Sequence, residues 1–183
     1  GVTMPNWAFG IVEVSGTKTE IESFIGRFIS DDDPPTIAGK RYFARSFLNE
    51  ERQTCIDEAM KTCECFADDA LVSCSFPVQF AWSAYSCMVE GYPQHHAEAC
   101  LTLGDACVED HVSVKVRTSE TGLCFEECIT CDLNGNIDYE EHDLSKFKCS
   151  KCGEVTHLSS FEDPDEQECP NCGEVGLESY TEE

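Results

Sequence analysis

Two Cys-x-x-Cys-Gly motifs near the carboxyl end constrain this chain more than any other feature of its sequence. Each motif forms a knuckle that turns two thiolates toward one place, and its glycine permits the backbone conformation that follows. Sixteen residues separate the two motifs, a spacing at which two knuckles fold onto a single ion. Four sulfurs complete a tetrahedron with no position left for water, so we predict a structural metal site rather than a catalytic one. Its ligands are Cys149, Cys152, Cys169 and Cys172.

The ligand set and the small size of the segment indicate which metal binds and why. Cytosolic knuckles with four cysteine ligands usually hold zinc, so we expect Zn²⁺. Iron is the alternative, because the same four ligands hold the mononuclear iron of rubredoxin-type domains. The segment is too short and too poor in apolar residues to fold unaided, and metal binding would supply the missing free energy. Its core candidates are Phe147, Val155, Leu158, Phe161, Val175 and Leu177.

The charge of the chain bears on its partners. Twelve lysines and arginines stand against 36 aspartates and glutamates, which gives a formal charge of −24. Non-specific attraction to a phosphate backbone needs clustered basic residues, so direct binding of nucleic acid is not expected and another protein is the expected partner. The acidity is typical of a highly soluble protein. It also permits mimicry of nucleic acid toward a basic partner.

The 14 cysteines do not indicate a secreted disulfide scaffold. The amino end lacks the basic and then apolar pattern of an export signal, and no run of about 18 apolar residues is present that could span a membrane. We therefore expect a soluble cytoplasmic protein with reduced thiols and no membrane partner. The cysteines outside the two motifs are interpreted as small apolar core residues.

Hydrophobic periodicity predicts alternating strands and helices in the first half of the chain. A strand over residues 6–14 precedes a helix from Thr17, where Thr17 and Glu20 have the spacing of a capping box. A short strand is expected within 41–47. A second helix is expected after Asn49, which suits an N-cap position.

The second half continues the alternation and ends in a hairpin. Residues 72–82 alternate between apolar and polar without a miss, and Pro77 within them indicates an edge position or a bulge. A helix is predicted over 94–110 and a strand over 111–118. Two further strands should turn at Asn134-Gly135, which is the strongest short hairpin signal.

These elements define the expected architecture. They predict a two-layer α+β domain over residues 4–143, followed by a small zinc ribbon over 144–179. Trp7 and Trp82 lie in apolar strand patterns, so both are expected in the core.

A second cysteine cluster is a weaker candidate for a metal site. Cys124, Cys128 and Cys131 precede His142 within a short stretch. Along a strand, the first two side chains share a face while Cys131 points the other way, so three thiolates would converge only at a bulge. Core cysteines are the favoured interpretation.

Two other patterns resemble sites without meeting their requirements. Residues 132–143 resemble a calcium loop, but the position that needs glycine is Ile137, so a hairpin is favoured. His95 and His96 have no nucleophile or carboxylate at a recognisable catalytic spacing, which favours a surface or capping role. We predict no catalytic residues.

The opening "MPNWAFGIVEVSGTKTEIESFI" and the later "FAW" resemble the YubB ferredoxin-like family of plasmid- and phage-encoded proteins. The resemblance covers roughly residues 4–141 and includes the closing hairpin "GLCFEECITCDLNGNIDY". It implies a ferredoxin-like sheet, a term that describes topology and implies no iron–sulfur cluster. The family has no established activity, so no functional residues are carried over. The matching residues are Pro5, Asn6, Trp7, Gly16, Phe80, Ala81 and Trp82.

Three functional hypotheses follow from the sequence. The leading one is a non-enzymatic mobile-element protein that binds another protein and carries a structural zinc site made of four cysteines. The second is an acidic nucleic-acid mimic that inhibits a host DNA-binding or defence enzyme. The third is a small-molecule-binding or enzymatic α+β domain, which would need a pocket with converging polar groups.

Overall fold

The computed structural model of the chain describes residues 6–28, 42–43, 46–48, 52–61, 64, 66–90 and 100–181. The predicted cap at Asn49 and the first part of the helix predicted over 94–110 lie outside these residues. The described strands and helices follow in chain order. They are β1 (Trp7–Gly16), α1 (Lys18–Ile25), β2 (Tyr42–Phe43), β3 (Ser46–Leu48), α2 (Arg52–Lys61), β4 (Val72–Ala81), α3 (Ala84–Met88), β5 (Cys100–Leu101), α4 (Leu103–Asp110), β6 (Ser113–Glu120), β7 (Phe125–Cys131), β8 (Ile137–Asp143), β9 (Ser145–Lys148), β10 (Val155–Leu158) and β11 (Glu178–Ser179).

Six strands form one sheet in the order β3-β4-β1-β6-β7-β8. Every neighbouring pair in this sheet is antiparallel. β1 pairs with β4 along its whole length and with β6 over most of it, while β7 and β8 extend the sheet as a hairpin. The fold is therefore mixed, with a large antiparallel sheet and few helices, in agreement with the α+β class predicted from the sequence.

One face of the sheet is buried and the other is open. In β1, Val12 and Val14 are buried while Ile11 and Glu13 are exposed, which is the two-residue alternation of a strand. Each of the described helices contributes to the buried cluster, through Ile21, Met60, Met88 and Leu103. We call the other surface the open face; its central cross-strand row is Pro77, Ile11, Arg117, Cys128 and Glu140.

The capping box predicted at the start of α1 is confirmed. The Thr17 backbone N–H donates to the Glu20 carboxylate over 2.7 Å, and the Thr17 hydroxyl accepts from the Glu20 backbone N–H. These bonds satisfy two donors that have no partner inside the helix. Ile21, Phe24 and Ile25 then face the core. Among the described residues, the helices are too short or too polar to span a bilayer.

Within the described part of the helix predicted over 94–110, the first two residues form a strand instead. Residues Cys100–Leu101 form β5, which pairs in parallel with β2, and α4 begins at Leu103. Thr102 explains the boundary, because its hydroxyl accepts from the Asp105 backbone N–H over 3.3 Å. An N-cap residue has an extended backbone, so the segment before it is free to pair as a strand.

The strand predicted over 72–82 ends one residue early. Trp82 has a φ of 74°, a left-handed conformation that is rare for a bulky side chain, and its N–H donates to the Asn6 carbonyl over 2.8 Å. Trp7 and Trp82 are both half-buried, so the prediction that they lie in the core is wrong. Pro77 lies just beyond the pairing of β3 with Val78–Phe80 of β4, which suits a residue without a backbone donor.

The C-terminal segment, residues 144–179, has its own small sheet and its own apolar cluster. β9 lies between β10 and β11. Beneath this sheet, Leu158 and Leu177 are buried together with two cysteines, and Phe147 packs against them. This cluster is much smaller than the one beneath the six-stranded sheet.

Candidate metal centre

The first knuckle is a tight turn held by its own backbone. The Gly153 N–H donates to the Cys149 carbonyl over 2.9 Å, and the Cys149 N–H donates to the Glu154 carbonyl over 2.8 Å. Gly153 has a φ of 78°, a conformation that glycine adopts without the strain of a Cβ atom. The turn therefore explains why glycine follows the second cysteine of the motif.

The second knuckle repeats the same bonds. The Gly173 N–H donates to the Cys169 carbonyl over 2.9 Å, the Cys169 N–H donates to the Glu174 carbonyl over 2.8 Å, and Gly173 has a φ of 71°. Lys151 of the first knuckle forms a 2.6 Å ion pair with Glu174 of the second. Both partners are exposed, so the ion pair contributes little free energy and serves mainly to align the two knuckles.

The four sulfur atoms meet at one place. The Sγ atoms of Cys149 and Cys172 are 3.7 Å apart, those of Cys152 and Cys169 are 3.5 Å apart, and all four lie within 4.8 Å of one another. A tetrahedral zinc ion with Zn–S bonds of about 2.3 Å requires sulfurs roughly 3.8 Å apart. The donor set therefore fits an ion held tetrahedrally by four cysteines.

Local hydrogen bonds prepare one of these thiols for a cation. The pKa of Cys152 is lowered to about 6, mainly by the backbone N–H of Glu154 and then by the Asn171 side chain. The pKa of Cys172 is raised to about 12; the N–H of Glu174 lowers it, but burial and the neighbouring thiols raise it more. Thiols this close cannot all ionise without a cation between them. A divalent metal would supply that charge.

The C-terminal segment contacts the open face of the large sheet through the loop that follows β10. The Ser160 N–H donates to the Glu126 carboxylate of β7 over 2.6 Å. Beside this bond, the Arg117 guanidinium lies over the Phe161 ring at 5.7 Å, a cation–π distance. This contact could not be predicted, because nothing in the sequence of either segment specifies its partner.

The weaker cysteine cluster does not come together. Cys131 is buried in the main core, whereas Cys128 lies three residues earlier in β7, on the open face. Cys124 is in the preceding turn, and its thiol donates to the Thr121 carbonyl over 3.3 Å. In the part of the chain that the structure describes, the four motif cysteines form the one group of metal-binding side chains that converges. His95 and His96 lie outside the described residues.

The stretch that resembles a calcium loop is a hairpin turn. The Asp132 carboxylate accepts from the backbone N–H groups of Asn134 and Asn136 over 2.8 and 2.9 Å. Gly135 has a φ of 79°, as predicted for a turn at Asn134-Gly135. The Asp132 carboxylate therefore accepts hydrogen bonds from the backbone of the turn itself.

A buried carboxylate outside the predicted sites lies under α3. Glu127 of β7 is 1% exposed. Its oxygens accept from the Ser83 hydroxyl over 2.8 Å and the Ala84 N–H over 2.9 Å, and they also contact the hydroxyls of Thr118 and Tyr139. Counting back by twos from the inward-facing Ile129 and Cys131 would have placed Glu127 in the core. Its contacts indicate a structural role at the start of α3.

Comparison of the chain with models of known protein families, with curated proteins and with solved structures found no match. Two knuckles with the same backbone bonds bring four sulfurs to a spacing close to tetrahedral, and this geometry alone indicates a metal centre.

Proposed function

We propose that this chain is a non-enzymatic protein-binding module of a mobile genetic element, in which a structural zinc site holds the C-terminal segment against a larger sheet. The observation that carries the proposal is the convergence of four cysteine sulfurs in a closed set. A site with four cysteine ligands leaves no open position for a substrate or water, so its role is to hold a surface in shape. The mobile-element origin rests on the resemblance of the opening segment to the YubB family.

The finer architecture belongs to the same proposal. We assign residues 144–179 as a zinc ribbon, since two knuckles are joined by a three-stranded sheet. We assign the larger part as ferredoxin-like, because a β1-α1-β3-β4 unit followed by helices and β6 gives the antiparallel order β6-β1-β4-β3. The helix α2 between β3 and β4, and the added strands β7 and β8, extend that arrangement.

A cytoplasmic location is part of the proposal. Every cysteine whose side chain the structure describes is a free thiol. Free thiols in such number suit a reducing compartment, where they stay available to a metal.

The metal is tested first on the purified protein. Native mass spectrometry of protein produced with both zinc and iron supplied should find one zinc ion per chain, and Cys169→Ser/Cys172→Ser should lose it. The matched control is Cys124→Ser/Cys128→Ser, which removes the same number of thiols outside the cluster and should keep the ion. If the purified chain carries iron and absorbs visible light, the metal of the site is the alternative, iron. If the chain carries no ion, the metal site is refuted.

The binding role is tested by affinity capture from a lysate of the organism that encodes the chain. The intact protein should retain a specific partner, and the Cys169→Ser/Cys172→Ser variant should lose it while the Cys124→Ser/Cys128→Ser control keeps it. Specific turnover of a small molecule by the intact protein, with no partner captured, would overturn the proposal in favour of an enzymatic domain.

A second candidate function is mimicry of nucleic acid. The observation that favours it is the edge strand β8, where four of seven residues are acidic and exposed, namely Asp138, Glu140, Glu141 and Asp143. Closely spaced carboxylates on a flat edge could occupy a phosphate-binding surface. This function requires the protein to displace DNA competitively from the captured partner, with an affinity that falls as salt is added.

A further inference from the structure

The open face carries apolar side chains where an antiparallel sheet facing water normally carries polar ones. Phe9 and Ile11 of β1 are 49% and 41% exposed. They lie two residues apart on the same face of the central strand, and Ile11 is directly opposite Pro77 of β4. These three residues form one continuous group, which we call the β1 strip. An exposed apolar group of this kind marks an interaction surface more often than an isolated side chain does.

The β1 strip continues into the C-terminal segment. Ile11 is also opposite Arg117 of β6, and the Arg117 guanidinium lies over the Phe161 ring. Phe161 is itself 38% exposed. A row of Pro77, Ile11, Arg117 and Phe161 therefore crosses the open face from the sheet to the C-terminal segment.

Charge decides among the possible occupants of this surface. The strip has Glu13 at one end, with Lys115 of β6 directly opposite it. Beyond Arg117, Glu126 is buried beneath Ser160, and the exposed acidic side chains of the open face are Asp138 and Glu140 of the edge strand β8. The whole chain has a formal charge of −24, which repels a second copy of itself and a nucleic acid strand, and attracts a basic protein. Arg117 is already engaged with Phe161, so it offers little to a phosphate.

We infer that the β1 strip, together with Phe161, is the docking surface for a basic protein segment that carries apolar side chains between its lysines or arginines. The apolar side chains lie on Phe9 and Ile11, and the basic ones face Asp138 and Glu140 of the edge strand β8, beyond Arg117. This inference rests on the proposed function, because it names the surface and the partner chemistry of the same binding module.

The direct test uses a short synthetic peptide that alternates lysine and leucine. Amide NMR spectra of the labelled protein should shift at β1 and at Phe161 on titration, and the affinity should fall as salt is added. Phe9→Thr/Ile11→Thr keeps strand-forming residues on an exposed face and should weaken binding at least ~tenfold. The matched control is Leu71→Ser/Leu133→Ser, which removes two exposed leucines elsewhere and should bind as the intact protein does.

Two comparison ligands test the chemistry of the partner. A peptide alternating glutamate and leucine, and single-stranded oligothymidine, should both bind at least ~tenfold more weakly than the lysine peptide. Equal or tighter binding of either one at β1 would overturn the inference, as would peptide shifts confined to another surface. Dimerisation that buries Phe9 and Ile11 at working concentration would assign the strip to a second copy instead.

The failure of this inference and the failure of the proposed function give different results. If the natural partner captured by the intact protein is also retained by Phe9→Thr/Ile11→Thr but lost by Cys169→Ser/Cys172→Ser, the binding module stands and the β1 strip is refuted. Loss with both variants supports the inference. If neither the intact protein nor any variant captures a partner, the proposed function fails first.

Discussion

At the scale of single residues, one buried ion pair joins the turn after α1 to the end of α4. Arg27 and Asp110 are 2% and 5% exposed. The Arg27 guanidinium donates two hydrogen bonds to Asp110, over 2.7 and 2.9 Å, and the Ser23 hydroxyl donates a third over 2.8 Å. Asp110→Ala removes the charge that compensates a buried guanidinium, so we expect it to lower the free energy of unfolding by about 3–5 kcal/mol.

Urea unfolding followed by circular dichroism measures this loss. Glu109→Ala is the matched control, because Glu109 precedes Asp110 on the same helix and is exposed; it should change the unfolding free energy by less than about 0.5 kcal/mol. The double variant Arg27→Met/Asp110→Leu should recover most of the loss, since it removes both charges. A cost below about 1 kcal/mol for Asp110→Ala would mean that the pair is not buried as described.

At the scale of secondary structure, the capping box of α1 predicts a pH-dependent contribution to stability. The backbone N–H of Thr17, followed by its hydroxyl, lowers the pKa of Glu20 below the ordinary value of 4.5. A lowered pKa in the folded state means that the stabilisation is complete above pH 4.5 and is lost as the pH falls through the folded-state pKa. Glu20→Gln should therefore lower the free energy of unfolding by about 0.3–1 kcal/mol near neutral pH. This difference from the intact protein should vanish in acid.

Thermal unfolding of the intact protein and of Glu20→Gln across a pH series gives that difference. Glu22→Gln serves as the control, because Glu22 lies on the exposed side of the same helix and takes no part in the capping box. A Glu20→Gln penalty that persists unchanged in acid would contradict a role for the ionised carboxylate.

Elements were predictable from the sequence where a local pattern determines them. Thr17 and Glu20 indicate the start of α1 because their hydrogen bonds close within one turn, and Asn134-Gly135 indicates the hairpin because the turn needs a positive φ. The helix predicted over 94–110 failed at Cys100–Leu101, since β5 is defined by pairing with the distant β2. Trp82 was misplaced for a similar reason, because its backbone is bonded to Asn6.

At the scale of the whole molecule, the convergence of the four motif cysteines could be predicted but the surroundings of the site could not. The spacing of the two knuckles is local, and each knuckle closes through its own glycine. The contacts of Ser160 with Glu126 and of Phe161 with Arg117 join residues more than 30 positions apart, and neither sequence carries a sign of the other. The exposure of Phe9 and Ile11 likewise became visible only when the sheet was assembled and its helix-covered face identified.

Metal removal should separate the two parts of the molecule. The apolar cluster of the C-terminal segment holds only Leu158 and Leu177 besides its buried cysteines and the half-buried Phe147, and a fully buried leucine contributes about 1.5–3 kcal/mol. Ordering each residue costs about 1–2 kcal/mol in backbone entropy, so we expect the segment to depend on the proposed metal, whose binding would contribute about 10–16 kcal/mol. We expect a chelator strong enough to strip zinc to unfold residues 144–179 and leave the six-stranded sheet intact.

Hydrogen exchange read by mass spectrometry resolves this outcome along the chain. In the chelated protein, amides of β9 and β10 should exchange freely, while those of β1 and β6 stay protected. Exchange should also rise in β7 beside Glu126, because the bond from Ser160 is lost with the loop. Cys169→Ser/Cys172→Ser should reproduce this pattern without chelator, and Cys124→Ser/Cys128→Ser should not. If β9 and β10 stay protected without metal, the segment folds on its own apolar contacts, and the proposal that zinc holds the binding surface in shape is wrong.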